Sequence, residues 1–136
     1  MTNSKRGFKH LDVYRLSEQL ADDIWNLVRQ WKALARDTVG KQLIRAADSI
    51  GANLAEGSDR GTYKDNHRFI DMARGSLYKT RQWLRRAFTR RLLVKNEAAT
   101  LTKLNAELGP RLNAYRNAIR KLTAAPRSSP PSRLPK

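Results

Sequence analysis

The sequence predicts an all-α protein, an antiparallel up-down four-helix bundle with a disordered basic C-terminal tail. Apolar residues recur at intervals of three and four along four segments, which is the spacing of one helix face. The breaks between these segments are short, as expected for antiparallel neighbours. The 136 residues include only seven glycines, and the five prolines fall late in the chain. This composition favours helices over a turn-rich β fold.

Helices are predicted at residues 9–32 and 38–57. The first carries one apolar stripe of Leu11, Tyr14, Ala21, Ile24, Val28 and Trp31. A second stripe predicts contact with another subunit and consists of Val13, Leu16, Leu20 and Leu27. Asp37 or Thr38 is expected to cap the second helix, and Gly57 suits its exit. The stripe of that helix is Val39, Leu43, Ala46, Ile50 and Leu54.

Two further helices are predicted at residues 63–90 and 97–122. Thr62 and Asp65 form a variant of the capping box at the start of the third, and Asn96 is expected to cap the fourth. The third helix presents Phe69, Ala73, Ser76, Thr80, Trp83 and Ala87 on one face. The fourth presents Leu101, Leu104, Leu108, Leu112, Tyr115, Ile119 and Leu122. Pro110 predicts a kink in a single helix, because the apolar stripe resumes directly after it.

The predicted domain organisation is a flexible N-terminus at residues 1–8, a bundle at 9–123 and a disordered Pro/Ser/Arg tail at 124–136. Cysteine is absent, which excludes disulfides, thiolate metal sites and a cysteine nucleophile. No apolar run reaches the length of a membrane span or a signal core. We therefore expect a cytoplasmic protein with no membrane partner.

Charge is the strongest functional signal in the sequence. The net charge is +16, and it is concentrated in the second half. Residues 1–71 hold 12 Lys/Arg and 10 Asp/Glu, whereas residues 72–136 hold 16 Lys/Arg and only two acids. Repulsion among so many positive charges lowers the stability of the folded protein, and a polyanionic partner would offset that repulsion. The distribution favours RNA or DNA as partner over an acidic protein or a membrane surface.

The sequence offers no arrangement typical of an enzyme. His10 and His67 lie outside any chelating spacing, and the chain lacks a Gly-rich phosphate loop. Asp22 and Asp23 are adjacent on a helix and point apart. We expect no catalytic residues, no metal site and no cofactor.

The candidate nucleic-acid-binding residues form a basic run from the third helix into the following loop. They are Arg74, Lys79, Arg81, Arg85, Arg86, Arg90, Arg91 and Lys95. Helical spacing places Arg74, Arg81 and Arg85 on one outer strip, and guanidinium groups pair bidentately with phosphate. Lys79, Arg86 and Arg90 share the opposite flank. Phe88 and Trp83 could stack on bases, although Trp83 is expected in the core.

A second set of residues predicts close helix packing. Ser49, Asn53 and Gly57 recur every four residues, and Glu56 lies one turn beyond Ala52. Small and polar residues at such positions let helices approach and fix their register. In the third helix Ser76 faces the core. Gly75 points away from the core, which indicates a neighbouring subunit or a tolerated surface glycine.

Several short motifs resemble one known family. They are Phe8–Tyr14, Gln42–Ile50, Asn53–Gly57, Arg68–Phe69 and Ala73–Leu77, in this order along the chain. They resemble the four-helix-bundle family of ribosomal RNA intervening-sequence proteins, over about residues 8–122. That family is similar in architecture to the accessory variability determinant of diversity-generating retroelements, which binds a reverse transcriptase and RNA. This chain departs from the family at two places. It lacks the aromatic-proline pair that the family usually has between the first two helices, near Trp31, and it has Lys79 where family members commonly have an acidic residue.

The resemblance implies a non-enzymatic RNA-binding bundle. It also implies a ring-shaped homopentamer and an accessory role beside a retroelement reverse transcriptase in mutagenic retrohoming. The alternative is a structural homo-oligomer whose positive surface binds an acidic protein partner.

Overall fold

Residues 11–124 are described by a computed structural model of the chain. Helix α1 is Asp12–Val28. Helix α2 starts as a short turn at Ala33–Ala35, passes through a π-helical turn at Arg36–Gly40 and continues as Lys41–Ser58. Helices α3 and α4 are Tyr63–Thr89 and Lys95–Ala124. The predicted all-α class is confirmed over these residues, while the N-terminus and the tail beyond Ala124 lie outside them.

The four helices form a closed bundle. Each packs against its neighbours in the chain, and α4 completes the ring by packing against α1. Arg111 of α4 also pairs with Asp12 at the start of α1, with 3.2 Å between the nitrogen and the oxygen. Short loops reverse the chain between successive helices, as an antiparallel bundle requires. The arrangement places α3 between α2 and α4, with one side of α3 facing each.

The second apolar stripe of α1 lies in the core, so its predicted role as an exposed subunit contact is wrong. Val13 and Leu20 are fully buried together with Ile24 and Val28. Leu16 and Leu27 pack against the same core. Because α1 contacts both α2 and α4, its buried face is wide enough to include both stripes.

The start of α2 differs from the prediction. Asp37 and Thr38 do not cap the helix but lie within the π-helical turn, where Thr38 Oγ1 donates to the Leu34 carbonyl at 2.6 Å. Gly40 ends this turn against α1, and a Cβ at Gly40 would lie 2.5 Å from Val28 Cγ1. The close approach of the two helices explains glycine at this position.

The remaining helix ends divide between confirmed and wrong predictions. Thr62 Oγ1 accepts from the Asp65 backbone N–H at 3.1 Å, so the predicted cap of α3 is confirmed. Asn96 lies inside α4 and is not its cap; Glu97 Oε1 instead accepts from the Val94 N–H at 3.0 Å. Pro110 lies within α4, which continues as one helix, as predicted. Gly57 lies in the last turn of α2, which ends one residue later than predicted, at Ser58.

Helices α2 and α3 meet through the small and polar residues noted in the sequence. Ser76 Oγ of α3 donates to Ser49 Oγ of α2 at 2.9 Å, and within α2 Asn53 Nδ2 donates to the Ser49 carbonyl at 2.9 Å. At Gly57, an added Cβ would lie 2.6 Å from Asn66 Oδ1. These contacts fix how α2 lies against α3. Glu56 is not part of this contact, because it pairs with Arg60 on the surface.

The core face of α3 is broader than its predicted stripe. Ala73, Ser76, Thr80 and Ala87 are buried as expected. Trp83 and Phe69 are only partly buried. The largest apolar contributions come instead from the neighbouring positions Ile70, Leu77 and Leu84.

Candidate nucleic-acid interface

Three arginines and two aromatic residues lie along one largely exposed face of α3. The residues follow spacings of three and four, which place them on one side of a helix. We call this face the outer strip; it consists of Arg74, Tyr78, Arg81, Arg85 and Phe88. Tyr78 and Phe88 are each 50% exposed, which is unusual for large aromatic side chains. The strip therefore offers both cations and ring faces to solvent.

The first half of the outer strip is ordered by its own contacts. Arg74 Nη2 donates to the Tyr78 hydroxyl at 3.4 Å, and the Arg81 guanidinium lies over the Tyr78 ring, 5.4 Å from its centroid. Arg74 also pairs with Asp71 at 3.3 Å. Arg74 is thus partly neutralised within the fold, whereas Arg81 is not.

The second half of the outer strip borders a groove between α3 and α4. This α3–α4 groove has a volume of about 420 Å³. Its lining is mostly apolar and comprises Arg81, Leu84, Arg85, Phe88, Leu93, Lys95, Ala98, Ala99, Thr102 and Asn105. Three cations and no carboxylate line the groove. Its size is in the range that accommodates small ligands.

Asn105 is the one buried polar side chain in the groove lining. It is 4% exposed, and its Nδ2 has no hydrogen-bond partner among residues 11–124. A buried amide donor without an acceptor is costly, by about 1–3 kcal/mol. Asn105 is therefore a buried and unsatisfied polar residue in the lining of the groove.

The eight basic residues named from sequence do not form one surface. Arg74, Arg81 and Arg85 lie on the outer strip, and Lys95 joins them across the groove. Lys79, Arg86 and Arg90 follow Ser76 at helical spacing, which places them toward the α2 side. We call these three the inner flank.

Arg91 lies in the loop that follows α3 and is exposed. Its φ is 62°, in the left-handed region that glycine adopts most easily. The Arg91 N–H donates to the Phe88 carbonyl at 3.0 Å, and the Leu92 N–H donates to the Ala87 carbonyl at 2.9 Å. These bonds close the end of α3 and turn the chain toward Lys95.

The opposite end of the α3–α4 pair has its charges compensated. The Asp71 carboxylate receives a hydrogen bond from Arg116 of α4, pairs with Arg74 at 3.3 Å and lies 3.6 Å from His67 Nδ1. Nearby, buried Asn66 donates from Nδ2 to the Tyr115 hydroxyl at 3.2 Å. This end is joined by specific polar contacts, unlike the groove end.

Charge compensation shifts the pKa of Asp71. Partial burial on its own raises the pKa of this carboxyl, but the hydrogen bond and charge of Arg116, with smaller contributions from His67 and Arg74, lower it below the usual value. Burial raises the pKa of Tyr115, against the effect of its hydrogen bond from Asn66. Both groups serve the packing of α3 on α4.

Residues 11–124 contain no group of three or more His, Asp or Glu side chains placed to hold a metal ion. His67 Nε2 is buried without a partner, and its Nδ1 faces Asp71. Across the same residues, none of the helices is long and apolar enough to cross a bilayer.

Two groups at this interface were missed by reasoning from sequence. Tyr78 lies four residues after Arg74 and three before Arg81, so its spacing could have placed it on the outer strip. Asn105 adjoins Leu104 of the α4 stripe, and only the structure shows that it is buried with an unpaired donor.

Comparison with known proteins adds the following. A search of curated proteins gave no significant match. The fold is similar to the crystal structure of a protein with unknown function from the S23 ribosomal protein family of Bacteroides thetaiotaomicron VPI-5482. The TM-score is 0.70 at 21% identity, over 77% of this chain and 95% of that chain.

The family model of the 23S rRNA-intervening sequence proteins matches residues 9–114, which covers most of the bundle. The matched region includes all of the outer strip and the lining of the groove. The family expected from the short motifs is thereby confirmed. This chain belongs to the 23S rRNA-intervening sequence protein family.

Proposed function

We propose that the protein is a non-enzymatic RNA-binding bundle that holds nucleic acid on the outer strip of α3, with little sequence preference. The observation that carries this proposal is that three arginines and two half-exposed aromatic rings share one helix face. Guanidinium groups pair with phosphates, and aromatic faces stack on any base. Neither contact reads base edges, so weak sequence preference is expected.

The charge state of the strip supports the same proposal. In the described part of the chain, Arg81 and Arg85 pair with no carboxylate, and neither does Lys95 across the groove. Their mutual repulsion is left uncompensated by the fold. A phosphate backbone along the strip would offset it and release counterions. The family name refers to a ribosomal RNA, which agrees with RNA as the partner.

A salt titration of binding tests the proposal. We compare wild type with Arg81→Glu/Arg85→Glu, using a short single-stranded RNA. Wild-type affinity should fall steeply with salt, with a log–log slope of about −0.7 for each phosphate contact. The double variant should bind at least about tenfold more weakly, and its salt slope should be shallower by the amount that corresponds to about two phosphate contacts.

The matched control is Lys79→Glu/Arg86→Glu on the inner flank. It changes the net charge by the same amount on the same helix. A similar loss in both variants would show that only net charge matters and would contradict a site on the outer strip. Unchanged affinity and slope in the outer-strip variant would exclude that strip altogether.

We also propose a homo-oligomer, with a pentamer and an accessory role beside a reverse transcriptase as the finer proposals that follow from the resemblance. Gly75 supports a subunit contact, because no atom lies within 4 Å of a Cβ added there and a close neighbour could use that space. Repeating the outer strip in each subunit would raise avidity for a long RNA. An RNA partner of this kind is consistent with a cytoplasmic protein.

The second candidate, a structural oligomer that binds an acidic protein, is less well supported by the exposed rings. Acidic side chains would satisfy the arginines but provide nothing to stack on Phe88. Competition of RNA binding by polyglutamate at equal charge concentration separates the two: effective competition favours the acidic protein.

A further inference from the structure

We propose that the α3–α4 groove takes up one unpaired nucleobase of a single strand whose phosphates lie against the groove rim. The inference deepens the proposed function and rests on it, since it names the form of nucleic acid that the site selects. It predicts preference for unpaired strands over duplex, in which a base would first have to leave its stack.

The groove has the surfaces that a base and its phosphates need. Leu84, Leu93 and Ala98 provide an apolar lining. Phe88, which is half exposed, adds an aromatic ring to the same lining. A planar base can stack on that ring while its sugar points to solvent. The volume of about 420 Å³ suits one such small group.

The unpaired donor of Asn105 supplies the second, independent observation. Nucleobases carry ring-nitrogen or carbonyl acceptors on their edges. Asn105 Nδ2 is buried and lacks an acceptor among residues 11–124, so the proposal requires the Asn105 amide to turn toward one of these edges when a base enters the groove. Purely aliphatic ligands would leave this donor unsatisfied.

The rim explains why the occupant should carry phosphate. Arg81 and Arg85 lie on the α3 side of the groove and Lys95 on the α4 side, with no carboxylate in the lining. A nucleotide unit has the matching pattern of a flat apolar group beside an anion. The side chains of an acidic peptide would match the rim but provide no planar group to stack on Phe88.

The test compares a short oligothymidylate with an abasic strand of the same length and charge, using the full chain. Both strands bind the cations, but only the first can fill the groove. Wild type should prefer the base-bearing strand by about fivefold or more, the effect expected for one stacked base. A duplex of the same length should lack this advantage at equal charge.

Two variants locate the preference. Phe88→Ala should reduce it to about twofold or less while leaving the salt slope unchanged. Met72→Ala is the matched control, since Met72 is an exposed apolar residue of α3 that does not line the groove. Asn105→Leu keeps the side-chain volume, removes the donor and should also lower the preference. Phe88 is half exposed, so its variant tests the site even if Asn105→Leu fails to fold.

The outcomes separate this proposal from the broader one. Equal binding of both strands by wild type, with a steep salt slope, overturns the base site and leaves RNA binding intact. Binding of neither strand overturns both. A base preference that survives in both Phe88→Ala and Asn105→Leu excludes the groove as its source.

Discussion

The two ends of the α3–α4 pair both carry arginines, but only one end provides them with partners. At the Asp71 end, Arg74 and Arg116 converge on one carboxylate, and Asn66 bonds Tyr115. At the groove end, Arg81 and Arg85 have no carboxylate partner in the described structure. Charges that are neutralised internally can hold helices together, whereas uncompensated charges weaken a fold and favour an external anion. The contrast separates a structural end from the end that we propose for RNA binding.

The largest expected effect concerns packing at the Asp71 end. Gly57→Ala should lower the free energy of unfolding by about 1–3 kcal/mol, because the new methyl would meet Asn66 Oδ1 and the Phe69 Cβ at less than van der Waals distance. Urea denaturation followed by circular dichroism measures the change. Gly109→Ala in α4 is the control, since no atom lies within 4 Å of a Cβ added there; a gain of up to about 1 kcal/mol is expected from helix propensity. Equal changes in the free energy of unfolding for both variants would contradict the close helix packing assigned to Gly57.

A smaller effect is expected from the buried hydrogen bond. Tyr115→Phe leaves the Asn66 amide without its partner and should destabilise the fold by about 1–2 kcal/mol in the same assay. Tyr78 is half exposed, and among the described residues its hydroxyl is hydrogen-bonded to Arg74 alone, so Tyr78→Phe should leave stability nearly unchanged. If the two variants lose the same stability, the polar contacts at the two ends do not differ in importance.

The smallest effect is a change in acid sensitivity. Because the folded state lowers the pKa of Asp71, its contribution is fully present above the unfolded value near pH 4 and is lost as the pH falls through the lower folded value. Asp71→Asn should therefore flatten the fall of stability between about pH 5 and pH 2. The measurement is the urea midpoint at each pH.

Asp48 provides the control of opposite sign. Burial, and then the charge of Asp22, raises the pKa of Asp48. Its ionised form weakens the fold near neutral pH, and this penalty disappears on acidification. Asp48→Asn should raise stability near pH 7 and lose that advantage below pH 4. A parallel pH dependence in both variants would contradict these assignments.

The fold could be predicted because four apolar stripes with helical spacing leave few alternatives. Helix ends were harder to place, since Gly40 and Gly57 serve close helix contacts that local sequence does not reveal. The second stripe of α1 was misassigned because one helix that touches two neighbours buries more than one stripe. The common helix face of Arg74, Arg81 and Arg85 could be predicted from their spacing in the sequence. The groove could not be predicted, because residues of two different helices line it. The burial of Asn105 also depends on how those two helices pack.

The left-handed backbone of Arg91 has an evolutionary consequence. Glycine adopts this conformation more easily, and every arginine codon is one nucleotide away from a glycine codon. Selection for stability alone would therefore favour glycine at the end of α3, at the loss of a positive charge near the groove. At position 91, selection for an unstrained backbone favours glycine, whereas selection for positive charge favours arginine. Under the proposed function, lineages that lose RNA binding should drift to glycine at position 91, and those that keep it should retain a basic residue.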